Sequence, residues 1–245
     1  MHVVPLPALA DNYIWLLHDD AGQAVVVDPG EAAPVEAALK QRGLRLRAIL
    51  LTHHHPDHVG GALQLRDSHG VPVYAPFDER IEAATHRLGD GDTVVLEQPH
   101  ARFEVLAVPG HTLSHLAYYG EGILLSGDTL FSLGCGRLFE GTPAQMLASL
   151  DRLSALPAQT LLCCGHEYTA TNARFALTVE PENEVLRERM QEVVALREAD
   201  RPSVPVAMAS EVAANPFLRV SRDEDAAWRV ERFAALRTAK DAFRG

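Results

Sequence analysis

The seven residues Thr52-His53-His54-His55-Pro56-Asp57-His58 constrain this chain more than any other stretch. They follow an apolar run, Ala48 to Leu51, that reads as a buried strand. If the backbone stays extended beyond Thr52, side chains alternate between faces, so His53 and His55 share one side and His54 points away. Pro56 ends the extended segment, and Asp57 and His58 open a helix predicted over residues 57–69. A carboxylate in that first turn also meets the positive end of the helix dipole. Two pairs of donors thus lie on either side of one bend, an arrangement that can grip two metal ions rather than one. The competing reading is a solvated histidine-rich loop. An acid at a fixed offset, directly behind a buried strand, favours the metal.

Composition limits the partners. A chain of 245 residues holds one large domain, or one with a small appendage, and buries a substantial core. The net charge of −11 leaves no excess of Lys and Arg to neutralise phosphates, which argues against nucleic acid. The first residues, MHVVPLPALADNYIWLLHDD, lack a basic start and carry Pro and Asp inside the apolar stretch, so no signal peptide is expected. No run approaches the ~18 apolar residues of a membrane span. Cys135, Cys163 and Cys164 are odd in number and two are adjacent, which suits a reducing cytoplasm rather than a disulfide framework. A monomer without an obligate protein partner is expected.

In chain order, residues 13–18 and 24–27 read as strands joined by a turn at Asp19–Gly22, and the second runs into Asp28-Pro29-Gly30. A helix is predicted over 33–41 with Gly43 as its stop. Short strands follow at 71–75, 93–96 and 103–108, with 77–87 ambiguous. A hairpin is expected from 116–119 and 122–125 across Gly120-Glu121. Residues 143–153 form an amphipathic helix, and 160–164 another strand. Beyond Tyr168 the pattern turns helical, over 170–179, 182–199 and 223–243, broken at Arg201–Pro205. Val185, Leu186, Val193 and Leu196 are available to a core.

One regularity runs through these strands. His53, His111, Asp128 and His166 each lie shortly past an apolar strand, and the last three directly follow a glycine, which lets the backbone turn sharply. If the strands lie side by side, four loops bring five histidines and two aspartates to one edge. Imidazoles and carboxylates without thiolate suit zinc, with iron or manganese possible.

These residues resemble the ligand set of the metallo-β-lactamase superfamily, and within it the glyoxalase II, or hydroxyacylglutathione hydrolase, family. The resemblance runs from Asn12 to Phe243, and its most specific pieces are GDTLFSLGCGRLFEGT (127–142), CCGHEYT (163–169), NPFLR (215–219) and LRTAKDAF (236–243). It implies an α/β fold, a four-layer αββα metallo-β-lactamase sandwich with a C-terminal helical domain. The implied catalytic domain spans residues 1–168 and the implied substrate-binding domain spans residues 169–245. It implies two divalent ions, zinc first, one held by His53, His55 and His111, the other by Asp57, His58 and His166, with Asp128 bridging. The implied reaction is hydrolysis of S-(2-hydroxyacyl)glutathione thioesters, such as S-D-lactoylglutathione to D-lactate and glutathione, the second step of methylglyoxal detoxification. A metal-bridging hydroxide is the implied nucleophile, so no side chain beyond the metal ligands is catalytic, and Cys135 is not a nucleophile.

Arg137, Phe139, Tyr168, Arg237 and Lys240 match the positions of glutathione contacts. Phe139 departs from the Tyr usual in animal relatives, and Leu133 replaces a smaller residue. Asp28 reads equally as a buttress of a metal-binding loop and as a turn residue. His54 and His115 are not expected to be ligands, and His2, His18, His69, His86 and His100 default to the surface. The rivals are another hydrolase of this fold acting on a different thioester or a lactone, a mononuclear-iron sulfur dioxygenase, and a non-catalytic binding module. Retention of two buried Asp among apolar strands counts against the last.

Overall fold

Alternating and continuous apolar runs become strands from the first residues onward in the computed structural model, which describes residues 1–220 and 223–245. The chain packs as two units, each made of separated segments: Met1–Ala107 with Ser114–Gly127, and Val108–Leu113 with Asp128–Gly245.

The first unit holds β1 (His2–Ala8), β2 (Asn12–His18), β3 (Gln23–Val27), α1 (Ala32–Arg42), β4 (Arg45–Leu50), α2 (Pro56–Val59), α3 (Ala62–His69), β5 (Val73–Pro76) and β6 (His86–Leu88). It continues with β7 (Thr93–Leu96), β8 (Ala101–Ala107), β9 (Leu116–Gly120) and β10 (Ile123–Gly127). Strands β1 to β6 form one sheet in sequence order. It is antiparallel from β1 to β3 and parallel from β3 to β6. The change of sense falls where α1 supplies the crossover that parallel neighbours need. Residues 24–27 and 48–50 are no more than 1% exposed, which explains their continuous rather than alternating apolar character. Val35 and Leu39 of α1 and Leu65 of α3 pack with Ile14, Val26, Ile49 and Val73 into one core. Strands β7 to β10 form an antiparallel ladder. Its last hairpin turns at Glu121 and Gly122, both at positive φ (53° and 77°), one residue later than expected and in the sense that matches strand twist.

Two further details depart from expectation. β1 escapes a sequence reading because Pro5 and Pro7 argue against a strand, yet β1 lies at the sheet edge, where a missing N–H is tolerated. The helix over 57–69 is two helices, parted at Gly60-Gly61. Gly61 donates its N–H to the Pro29 carbonyl (2.8 Å), and a side chain there would collide with the backbone of Glu31 and Ala32. The close approach of that turn breaks the helix and brings α2 against the end of β3.

The second unit holds β11 (Leu130–Phe131), β12 (Gly134–Cys135), α4 (Pro143–Ser154), β13 (Leu161–Cys164), α5 (Thr169–Val179), α6 (Glu184–Glu198), β14 (Val206–Ala207), α7 (Met208–Ala214) and α8 (Ala226–Ala242). α4 opens with a capping box between Thr142 and Gln145 and buries Met146, Leu147, Leu150 and Leu153. Asn183 and Asp225 cap α6 and α8. Arg229 of α8 donates to both carboxylate oxygens of Asp151 on α4, at 2.8 Å each. Leu186 and Val193 are buried as expected, whereas Val185 is exposed and Leu196 half-buried. β14 and α7 fall just after the expected break and are too short for periodicity to reveal.

Candidate metal centre

In the first unit the site begins where β3 and β4 end side by side, with Val27 opposite Leu50. That register puts Asp28 next to Thr52. Asp28 is buried, with a left-handed φ of 51°. Its Oδ1 accepts from the Thr52 N–H (2.8 Å), and its Oδ2 accepts from the Thr52 hydroxyl (2.7 Å) and faces His58 Nδ1 at 3.0 Å. Thr52 Oγ1 in turn lies 3.0 Å from His53 Nδ1. Because a carboxylate only accepts, His58 carries its proton on Nδ1. Because the Thr52 hydroxyl proton is spent on Asp28, His53 donates from Nδ1 as well. Both imidazoles therefore present Nε2 lone pairs. His53 Nε2 sits 3.0 Å from His55 Nδ1, and His58 Nε2 sits 3.3 Å from Asp57 Oδ2. Asp28 both makes the turn and buttresses the segment from Thr52 to His58.

Asn12, at the start of β2, is a site residue that sequence reasoning misses. Its amide donates to the Asp57 carbonyl (3.2 Å) and to Asp57 Oδ2 (2.9 Å), fixing that carboxylate. A polar residue at the head of an otherwise apolar strand is the available signal. His54 turns away from His53 and His55 toward Asp78, with 3.5 Å between Nδ1 and Oδ2. Hydrogen bonds from Arg80 and Ser114 hold the Asp78 carboxyl well below the usual carboxylate range. His115 is buried and stacks on His53, ring centroids 4.6 Å apart. Of the five histidines expected at the surface, His18 is half-buried and the other four are exposed.

In the second unit Asp128 stands between two imidazoles: its Oδ2 is 3.5 Å from His111 Nε2 and 3.3 Å from His166 Nε2. His111 Nδ1 donates to the Arg137 carbonyl (2.8 Å). The His166 ring is stacked parallel to Tyr168, centroids 4.7 Å apart, and Phe139 meets His111 edge-on at 5.2 Å. Tyr168 and Phe139 are both exposed, at 37% and 60%.

The same unit carries a cationic cluster. Arg137 is exposed and its Nε donates to Asp241 Oδ1 (3.2 Å). Arg237 is buried, donating to the same oxygen (3.0 Å) and to the Cys135 carbonyl (2.7 Å). Lys240 is half-buried over the rings of Phe175 and Phe243, and burial pulls its pKa down to about 8, with Arg237 and Arg174 adding to the effect. Arg237 thus braces a loop while Arg137 and Lys240 keep contact with solvent. Cys135, Cys163 and Cys164 are buried free thiols.

The donors fit metal ions. With Nδ1 of His58 and His111 committed to acceptors, each Nε2 lone pair faces a carboxylate oxygen at 3.3 to 3.5 Å. Two acceptors aimed at one another call for a cation between them, and imidazole with carboxylate is the chemistry of borderline and hard divalent ions.

Comparison with known proteins defines the class. Residues 10–166 match the metallo-beta-lactamase superfamily. Along 99% of this chain and 96% of the other, the structure is similar to ETHE1 from Myxococcus xanthus, with a TM-score of 0.70 and 26% identity. TTHA1623, solved in a di-iron-bound form, is 33% identical over 68% of this chain and 92% of its own, with a TM-score of 0.56. Residues 167–243 match the hydroxyacylglutathione hydrolase C-terminus. The hydroxyacylglutathione hydrolase of Stenotrophomonas maltophilia is 54% identical, covering all of both chains. This chain belongs to the hydroxyacylglutathione hydrolase family. The α/β fold with a helical C-terminal region and the metal-binding His and Asp groups are those of that class. Among the described residues no helix is long and apolar enough to cross a membrane.

Proposed function

We propose that this chain hydrolyses S-(2-hydroxyacyl)glutathione thioesters, with S-D-lactoylglutathione giving D-lactate and glutathione, the second step of methylglyoxal detoxification. The observation that carries the reading is the unbroken match to that family through the C-terminal helices. Lys240 of α8, with Arg137 and Tyr168 from loops of the same unit, would meet a peptide with two carboxylates. His53, His55 and His111 would hold one divalent ion and Asp57, His58 and His166 the other, with Asp128 shared. Zinc suits these donors first, and iron or manganese also fit. When bound, the ions supply an acidified water and a Lewis acid for the thioester carbonyl.

The chain's own residues do the rest. Asp28 and the Arg137 carbonyl keep the imidazole protons on Nδ1, so that His58 and His111 offer lone pairs at Nε2. Asn12 holds Asp57, and Tyr168 and Phe139 flank the imidazoles of His166 and His111 as apolar walls. Water gives up a proton to solvent and adds to the carbonyl carbon, and the C–S bond breaks with its electron pair going to sulfur. Glutathione leaves as a thiolate, which needs little acid assistance, while the acyl group leaves as the hydroxy acid and ionises to its carboxylate. We assign residues 1–168 to catalysis and 169–245 to substrate binding, and place the protein in the cytoplasm as a monomer, where three free thiols survive.

The test is turnover of S-D-lactoylglutathione, followed by loss of thioester absorbance, with metal analysis of the same preparation. Two ions per chain and inhibition by strong chelators are expected. A fully loaded protein that leaves the thioester intact while cleaving a lactone would overturn the substrate, and one tightly bound iron would overturn the two-ion site.

A further inference from the structure

The turn between β11 and β12 lies between Asp128 and Arg137, and it ought to be costly to bury. Ser132, Leu133 and Gly134 are all buried, and Leu133 holds a left-handed φ of 57°, which a residue with a side chain adopts only under local constraint. Its backbone polar groups are shut away from the surface and must be paired. Three helices of the same unit supply the partners. From α7, Glu211 accepts from the Leu133 N–H (2.7 Å) and the Ser132 hydroxyl (2.6 Å). Asn215, just past α7, donates to the carbonyls of Phe131 (3.2 Å) and Gly134 (3.0 Å) and to Glu211 (3.2 Å). From α5, Asn172 donates to the Ser132 carbonyl (3.1 Å). From α8, Arg237 donates to the Cys135 carbonyl (2.7 Å). Glu211 and Asn215 are both fully buried. A buried carboxylate is expensive, and burial raises this one's pKa. Among the described residues its hydrogen bonds nevertheless come from the turn and from the asparagine that also grips the turn.

We propose that Glu211 and Asn215 are positioning residues of the active site: they set the turn that spaces Asp128 from Arg137. The inference rests on the functional reading above, in which Asp128 holds the ions and Arg137 meets the peptide. It gives the C-terminal helices a second task, since they would shape the metal-side loop as well as bind substrate. Loosening the turn moves both of its ends. A shift at Asp128 lowers kcat for any thioester, and a shift at Arg137 raises KM only for substrates with peptide carboxylates.

Glu211→Leu is the decisive variant, because it removes both acceptor oxygens at similar volume, whereas a glutamine oxygen still takes the Leu133 N–H while the Ser132 hydroxyl turns to accept. In Glu211→Leu the Leu133 N–H, fixed in the backbone, is left buried without its acceptor. With the full-length, metal-loaded protein, amide hydrogen exchange over residues 131–135 should accelerate and chelator should strip the ions faster. The kcat should fall roughly tenfold or more for S-D-lactoylglutathione and for a small thioester without carboxylates alike, while KM rises for the glutathione thioester alone. A lower Tm with wild-type kcat, KM and metal retention in the folded protein would show a merely structural role and overturn the proposal. If Glu211→Leu does not fold, Ser132→Ala removes a single donor and should give the same pattern at about threefold. Unchanged kinetics and exchange in Ser132→Ala would overturn it equally. Should wild-type protein fail to cleave the thioester, the functional reading falls, and the exchange and chelator measurements still decide whether Glu211 holds the turn and the metals.

Discussion

Asp28→Asn should weaken metal binding far more than it weakens the fold. In the native network Asp28 only accepts, from the Thr52 N–H (2.8 Å), the Thr52 hydroxyl (2.7 Å) and His58 Nδ1 (3.0 Å). The asparagine has one oxygen, and the Thr52 N–H, a fixed donor, claims it. Its NH2 then faces the Thr52 hydroxyl and His58 Nδ1. His58 must present a lone pair there, so its proton moves to Nε2, the atom that faces Asp57 at 3.3 Å. The hydroxyl must accept from the amide, so it turns its proton toward His53 Nδ1 at 3.0 Å and drives that imidazole to the same wrong tautomer. One isosteric change thus removes two metal-facing lone pairs. Loss of a single partner behind a ligating imidazole costs about 10- to 100-fold in affinity, roughly 1.4 to 2.7 kcal/mol. With two imidazoles affected, the upper end of that range is expected. The hydrogen bonds lost to charge contribute about 1–3 kcal/mol to folding, so the apoprotein should still fold. Chelator competition gives the affinities, calorimetry of the apoprotein gives the stability, and imidazole nitrogen NMR reads the tautomers. Wild-type affinity for both ions in Asp28→Asn would refute the tautomer argument.

Three other outcomes follow from the same geometry. Lys240, with its pKa lowered by burial to about 8, keeps its charge below that pH and loses it above. Consequently kcat/KM for a glutathione thioester should fall as pH rises through about 8, and Lys240→Met should remove that limb; a profile identical in the variant would exclude Lys240. Burial pushes the Cys135 thiol up to about 11 and Cys164 to about 12, so alkylating reagents at neutral pH should leave the folded enzyme active, whereas an acyl group trapped on Cys135 would show covalent catalysis. Asp128→Ala should lower activity by roughly a thousandfold and reduce the metal content, because one carboxylate stands 3.5 Å from His111 and 3.3 Å from His166; undiminished turnover would deny it the shared role.

Sequence reasoning reaches most elements, and it names its ligand candidates from patterns that are likewise written locally. The apolar runs of β3 and β4, the stop at Gly43 and the amphipathic period of α4 each depend on a few nearby residues. What escapes depends on contacts between distant positions. Asn12 reaches Asp57 across 45 positions and Glu211 reaches Leu133 across 78, and no local pattern records either bond. The split of the helix after Asp57 is legible only once Gly61 is seen against the backbone of Glu31 and Ala32. β1 is hidden for another reason: its prolines weigh against a strand unless the strand is known to be an edge.

Under the proposed function, the buried Arg237 would account for how an acidic chain holds an anionic peptide. A net charge of −11 provides no long-range attraction, so recognition must rest on local groups whose geometry is already set. Arg237 cannot itself turn outward without leaving the Cys135 carbonyl and Asp241. Its value lies in fixing Asp241, whose Oδ1 also takes the Arg137 Nε. Arg137 is therefore held in place before any ligand arrives, at little further cost in side-chain entropy, and its remaining guanidinium N–H groups stay available to a carboxylate. Lys240 sits one turn from Arg237 on the same helical face, its stem covered by Phe175 and Phe243. Together they form a small cationic cluster built on a buried support, in which the residue nearest the core fixes the geometry and, under the proposed function, the two nearer the solvent would make the contact.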